Sequence, residues 1–163
     1  MATVDNLKTA VAGESQANRK YAAFAQKAED EGYSAVAKMF RAASEAEAIH
    51  ALSELKALGA VKTTAENLKA AIEGETYEFT TMYPGFIKEA EQEGNNTAKR
   101  VFNFANEAEK VHAALYQKLL DDLESKPEVE YYLCTVCGNI VENDAPGRCQ
   151  ICGAPAKAFK NVG

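Results

Sequence analysis

Glu109-Lys110-Val111-His112 is a Glu-x-x-His stretch, and it has a twin at Glu47-Ala48-Ile49-His50. These motifs hold the only two histidines in the chain, each three residues after a glutamate. On a helix, positions i and i+3 share a face, so each motif aims a carboxylate and an imidazole at one point. Two such motifs, with one glutamate from each of two further helices, make the carboxylate-bridged di-iron or di-manganese site of a four-helix bundle. The fold therefore turns on where the remaining glutamates fall.

Working outward, the chain repeats itself. Gly13-Glu14 recurs as Gly74-Glu75, Ala28-Glu-Asp-Glu-Gly32 as Ala90-Glu-Gln-Glu-Gly94, and Glu45-Ala-Glu-Ala-Ile-His50 as Glu107-Ala-Glu-Lys-Val-His112. The offset is 61 at the first landmark and 62 at the others, which puts one inserted residue in the second copy, near Pro84. Each copy reads as helix, glycine turn, helix. A helical hairpin cannot bury its apolar face alone, and two hairpins together make a four-helix bundle.

The first helix is expected over about residues 4 to 31, with a stripe of Leu7, Ala10, Glu14, Ala17, Tyr21, Phe24 and Ala28. The second, about 34 to 58, presents Phe40, Ala43, Glu47 and His50, and Gly59 is a helix stop. Thr63-x-x-Glu66 is a capping box for the third helix, whose stripe is Leu68, Ala71, Glu75, Glu78 and Met82. Pro84 is expected to kink that helix. The fourth, about 96 to 124, gives Phe102, Ala105, Glu109, His112 and Tyr116. Every stripe is apolar except at mid-helix. There Glu14, Glu47, Glu75, Glu78 and Glu109 would meet both histidines. Unpaired carboxylates gathered in a bundle interior are costly unless cations neutralise them, and two divalent ions nearly balance these five.

The remaining composition narrows the function classes. The chain has 163 residues, 47% of them hydrophobic and 26% charged, as in an ordinary globular protein. No apolar run approaches membrane-spanning length, and the N-terminus lacks the layout of a signal peptide. A net charge of −6 argues against nucleic acid as a partner. All four cysteines, Cys134, Cys137, Cys149 and Cys152, form two Cys-x-x-Cys-Gly pairs beyond a charged, proline-containing segment. Such pairs present four thiolates tetrahedrally to zinc or a single iron. A module of about 30 residues has too little core to hold itself together without that metal. Thiolate ligands need reducing surroundings, which makes the cytoplasm the expected location.

Taken together, Gly13-Glu-Ser-Gln-Ala, the two Glu-x-x-His motifs, Gly74-Glu-Thr-Tyr-Glu-Phe-Thr-Thr-Met-Tyr-Pro84 and the cysteine pairs resemble the rubrerythrin family over nearly the whole chain. The resemblance implies an all-α, ferritin-like four-helix bundle over residues 1–125, a linker over 126–132, and a small rubredoxin-like β domain over 133–163. It implies a di-iron centre on Glu14, Glu47, His50, Glu75, Glu78, Glu109 and His112, and one iron on Cys134, Cys137, Cys149 and Cys152. Glu78 and His50 would alternate as ligands to one iron as the oxidation state changes, with Tyr21 and Tyr83 donating hydrogen bonds to ligand carboxylates. The family reaction is reduction of hydrogen peroxide to water. The thiolate-bound iron relays electrons from an external NAD(P)H-linked reductase or a rubredoxin.

A homodimer or larger oligomer is expected, with electrons crossing from the thiolate iron of one subunit to the di-iron site of another. Shorter family members can exchange helices between subunits, which leaves open which chain supplies which ligand. Two other functions stay beside the peroxidase: ferritin-like iron oxidation and storage, and a docking protein whose cysteines hold a structural zinc ribbon. Zinc and iron use the same four-thiolate knuckles, so spacing alone does not separate them.

Overall fold

The computed structural model describes residues 2–163, and it divides into two compact units, one ending at Lys62 and the other beginning at Thr63. None of the described helices is long and apolar enough to cross a membrane.

The first unit is a hairpin of α1 (Ala2–Asp30) and α2 (Ser34–Ala57). Its seam is made of small residues: Ala25, Ala28, Ala37 and Ala51 are buried. Short side chains at a contact let two helices approach closely. A polar clamp sets their register. Asn18 Nδ2 donates to the Ser44 carbonyl at 2.6 Å, and Ser44 Oγ donates to the Asn18 carbonyl at 2.8 Å. The helices are joined at Gly32, whose φ of +83° is readily reached only without a side chain. There the Tyr33 N–H donates to the Ala28 carbonyl, closing the end of α1 in the hydrogen-bond pattern of a Schellman turn.

The second unit repeats this plan and adds to it. Thr63 opens α3 (Thr64–Tyr77) with the expected capping box: its hydroxyl accepts from the Glu66 N–H, and the Glu66 carboxylate accepts from the Thr63 N–H at 3.2 Å. A π-helical turn, Glu78–Met82, then leads into α4 (Tyr83–Gln92), and Gly94 (φ +69°) turns the chain into α5 (Asn96–Asp121). The repeat is visible in burial, since Ala28, Ser44 and Ala51 are matched by buried Ala90, Asn106 and Ala113.

The residue inserted near Pro84 is accommodated by the π turn, in which the Tyr83 N–H reaches the Glu78 carbonyl five residues back. A π turn holds one residue more than an α turn. It lies directly ahead of Pro84, whose ring would otherwise crowd the carbonyl four residues earlier and which has no N–H to give.

After α5 and a short 3-10 turn, the chain builds a three-stranded antiparallel sheet in the order β2-β1-β3, with β1 Tyr131–Cys134, β2 Ile140–Glu142 and β3 Phe159–Asn161. Strand β1 begins at Tyr131: Tyr131 and Tyr132 pair with Glu142 and Val141, and Tyr132 also with Asn161.

Large apolar side chains remain exposed on both units, among them Phe24, Ile49, Leu52, Tyr77 and Phe86, with Ile49 at 64%. Thr63→Ala, which removes the α3 cap, is expected to lower stability by about 1 kcal/mol in denaturant unfolding, without altering metal content.

Candidate metal centres

In the first unit, α1 supplies Glu14 and α2 supplies Glu47 and His50, whose ligand atoms all lie within 4.8 Å of one another. His50 Nδ1 stands 2.9 Å from Glu47 Oε2. A hydrogen bond shared with Glu47 raises the Glu14 carboxyl above its ordinary value, and desolvation and the charges of Glu47 and Glu54 add to this against the pull of His50. Glu54 lies one turn beyond His50, outside both Glu-x-x-His motifs. Its Oε2 is buried without a hydrogen-bond partner.

The second unit holds the matching cluster: Glu75 from α3, with Glu109 and His112 from α5, again within 4.8 Å. It is the more enclosed of the two, with the His112 side chain 16% exposed against 57% for His50. His112 Nδ1 lies 2.6 Å from Glu109 Oε2 and 3.7 Å from Glu75 Oε2. Burial is the main reason the Glu75 carboxyl is pushed up to about 7, reinforced by its hydrogen bond with Glu109 and that group's charge. Glu78, on the π turn, stands outside this three-residue cluster; burial and the Glu75 charge raise it. Tyr83 is raised by burial and by the charges of Glu109, Glu78 and Glu75. Its phenol thus stays protonated within the field of these three carboxylates. Tyr21 packs among the rings of Phe24 and Phe40.

These donor sets fit cations. Carboxylate oxygens have no protons to share when ionised, so a histidine nitrogen 2.6 Å from one needs either a proton or a metal ion between them. The neighbouring carboxylates Glu109 and Glu47 add to the elevation of Glu75 and Glu14. Oxygen and imidazole donors suit iron or manganese.

The third cluster is Cys134, Cys137, Cys149 and Cys152. Cys134 Sγ is 3.7 Å from Cys152 Sγ, and Cys137 Sγ is 3.5 Å from Cys149 Sγ. Thiolates about 2.3 Å from a tetrahedral metal stand about 3.8 Å apart, so the four sulfurs are spaced for one ion. Glycines at φ +80° (Gly138) and +75° (Gly153) close both knuckles. Burial raises the Cys149 thiol, but the N–H groups of Cys152 and Ile151, with the neighbouring thiols, outweigh it and bring Cys149 down to about 7. Burial dominates at Cys137 and pushes it up. Asn139, outside the cysteine motifs, is buried and directs its Nδ2 at Cys149 Sγ, 3.7 Å away.

Glu75 gives a pH test. Its folded value lies above the ordinary 4.5, so in the metal-free protein the folded state binds this proton more tightly than the unfolded chain does. Its contribution favours folding below about pH 4.5 and is progressively lost as the pH rises through about 7. Glu75→Gln is expected to flatten that decline in thermal melts of metal-free protein. It should also remove most of the stabilisation that manganese or ferrous ion gives the parent.

The chain is similar to known proteins along nearly its whole length. Residues 5–120 match the Rubrerythrin family, and residues 132–160 match the rubrerythrin rubredoxin-like domain. The chain is 36% identical to nigerythrin of Nitratidesulfovibrio vulgaris over 96% of this chain and 85% of that protein. It is 32% identical to rubrerythrin-2 of Clostridium acetobutylicum, over 97% and 95% respectively. The structure of nigerythrin in its mixed-valence state aligns with a TM-score of 0.60 at 36% identity, covering 98% of this chain and 86% of that one. The fully reduced, all-ferrous nigerythrin gives 0.61 at 35%. Four long helical segments, two carboxylate–histidine clusters suited to a di-iron site and a C-terminal four-cysteine rubredoxin-like iron site place the chain in the rubrerythrin family.

Proposed function

We propose that the protein is a peroxidase that reduces hydrogen peroxide to water. The observation that carries this reading is the presence, in one chain, of two carboxylate–histidine clusters and a four-thiolate site spaced for a single ion. When bound, a ferrous pair would supply the two electrons that convert one peroxide and two protons to two waters. Cys134, Cys137, Cys149 and Cys152 would hold the iron that takes electrons singly from an external NAD(P)H-linked reductase or a rubredoxin. A storage protein has no need of that second site.

The protein's own groups would hold and orient this chemistry. Glu14, Glu47, Glu75 and Glu109, with His50 and His112, supply the ligands. Glu78 is the extra carboxylate that breaks the twofold pattern, and it is proposed to alternate with His50. The raised Tyr83 phenol stays protonated at neutral pH and can donate to a ligand carboxylate. Tyr21 is proposed for the same role in the other repeat. The exposed apolar side chains of both units favour a homodimer or larger oligomer, with exchange of hairpins between chains as one way to cover them. Reduced thiolates and a net charge of −6 suit a protein of the cytoplasm.

The decisive experiment uses anaerobically purified, iron-loaded protein, reduced and then mixed with peroxide. About three irons per chain and rapid return of the red ferric–thiolate colour are expected, from the two site types described. A chain that keeps zinc on its cysteines after iron reconstitution, or whose colour does not return, overturns the reading. Glu78→Ala is expected to slow peroxide turnover at least about tenfold, roughly 1.4 kcal/mol of barrier. Unchanged turnover would remove Glu78 from the mechanism.

A further inference from the structure

The two cysteine knuckles are built on one plan. In each, the glycine after the second cysteine donates its N–H to the carbonyl of the first: Gly138 to Cys134 at 3.0 Å, and Gly153 to Cys149 at 2.9 Å. The next residue closes the loop through its backbone. The Asn139 carbonyl accepts from the Cys134 N–H at 2.8 Å, and the Ala154 carbonyl accepts from the Cys149 N–H at 2.8 Å. The Asn139 N–H donates to Cys137 Sγ, and the Ala154 N–H to Cys152 Sγ. By these bonds Asn139 and Ala154 occupy equivalent places, one in each knuckle.

Their side chains differ. Asn139 is only 4% exposed, and its Nδ2 stands 3.7 Å from Cys149 Sγ on the opposite knuckle. Its amide must present nitrogen to the sulfur, because the oxygen would set two acceptors against each other. Ala154 has no donor to return to Cys134. Cys134 and Cys149 are both buried, so solvent does not make up the difference. Asn139 therefore touches three of the four cysteines: Cys134 through its carbonyl, Cys137 through its N–H and Cys149 through its side chain. The Gly138–Asn139 peptide is also fixed from outside the module, with the Gly138 carbonyl 2.9 Å from His112 Nε2.

We propose that Asn139 is a positioning residue that breaks the twofold symmetry of the four-cysteine site, placing one extra donor on Cys149 and so raising the reduction potential of the iron held there. An N–H aimed at a sulfur favours whichever state carries more negative charge on the thiolates, and the ferrous state carries one charge more than the ferric. Burial of both partners keeps water from competing for the sulfur and strengthens the bond. The step concerned is the gain of one electron from the external reductant, ferric to ferrous, with no bond made or broken. The inference rests on iron occupying the cysteines and needs nothing from the reaction with peroxide.

Two measurements on the full-length chain test it. Asn139→Ala and Asn139→Leu remove the donor but keep the backbone bonds that shape the knuckle, and the negative φ at this position suits either residue. In redox titrations of iron-loaded protein, followed by the red ferric–thiolate colour, each variant should favour the oxidised state about tenfold more than the parent, a fall of about 59 mV for one electron. A midpoint that rises, or that stays within about twofold of the parent's equilibrium constant while the colour is intact, overturns the proposal. In the cadmium-loaded parent, NMR should show scalar coupling between the Asn139 side-chain amide protons and the metal through Cys149 Sγ. A freely exchanging amide without that coupling overturns it too, even where a variant sheds its iron. A parent whose reduced form does not react with peroxide would end the peroxidase reading and leave both of these measurements standing.

Discussion

Like charges held close together at mid-helix govern this protein. Glu14 with Glu47, and Glu75 with Glu109, share hydrogen bonds that only a proton or a cation makes favourable. The rest of the architecture serves to hold them there. Alanine seams bring helices near enough for side chains from neighbouring helices to converge, and the Asn18–Ser44 clamp prevents α1 and α2 from sliding. Glycine turns at Gly32 and Gly94 return each chain segment in the register the two motifs need. Metal binding and folding are in this sense one equilibrium: the ions remove a repulsion that the fold itself creates.

Much of this was legible in the sequence because it is written locally. The end of α1, both ends of α2 and the starts of α3 and α5 fall within a few residues of expectation, since positive-φ glycines and the Thr63 capping box act over one helical turn. The ligand clusters were legible because Glu-x-x-His is an i, i+3 relation and the repeat doubles it. Six of the seven expected carboxylate and histidine ligands fall into the two clusters. Glu78 stands outside the three-residue cluster, yet near enough for the charges of Glu75 and His112 to act on it.

What was missed is nonlocal. The π turn left only a one-residue change of offset as its trace, with no residue type that names it. The pairing of Tyr131 and Tyr132 was not legible because a strand so short is defined by its partners, and those lie about ten and thirty residues farther on. Glu54 and Asn139 have no motif of their own; one gains meaning from its nearness to Glu14 and the other from its distance to a sulfur. The contact of His112 with Gly138 spans 26 residues and ends on a backbone carbonyl, a group every residue possesses.

The π turn also bears on how a duplicated hairpin diverges. An extra residue in a continuous α-helix would rotate everything after it by about 100° and turn the later apolar positions away from their partners. Confined to Glu78–Met82, the extra residue is absorbed within one turn, and Ala90, Asn106 and Ala113 keep the burial of their counterparts. Just ahead of it, one copy of the repeat carries a carboxylate, Glu78, where the other has Ala17, while the buried positions beyond keep their counterparts. Asymmetry at the centre and symmetry in the frame coexist because a single wide turn separates them.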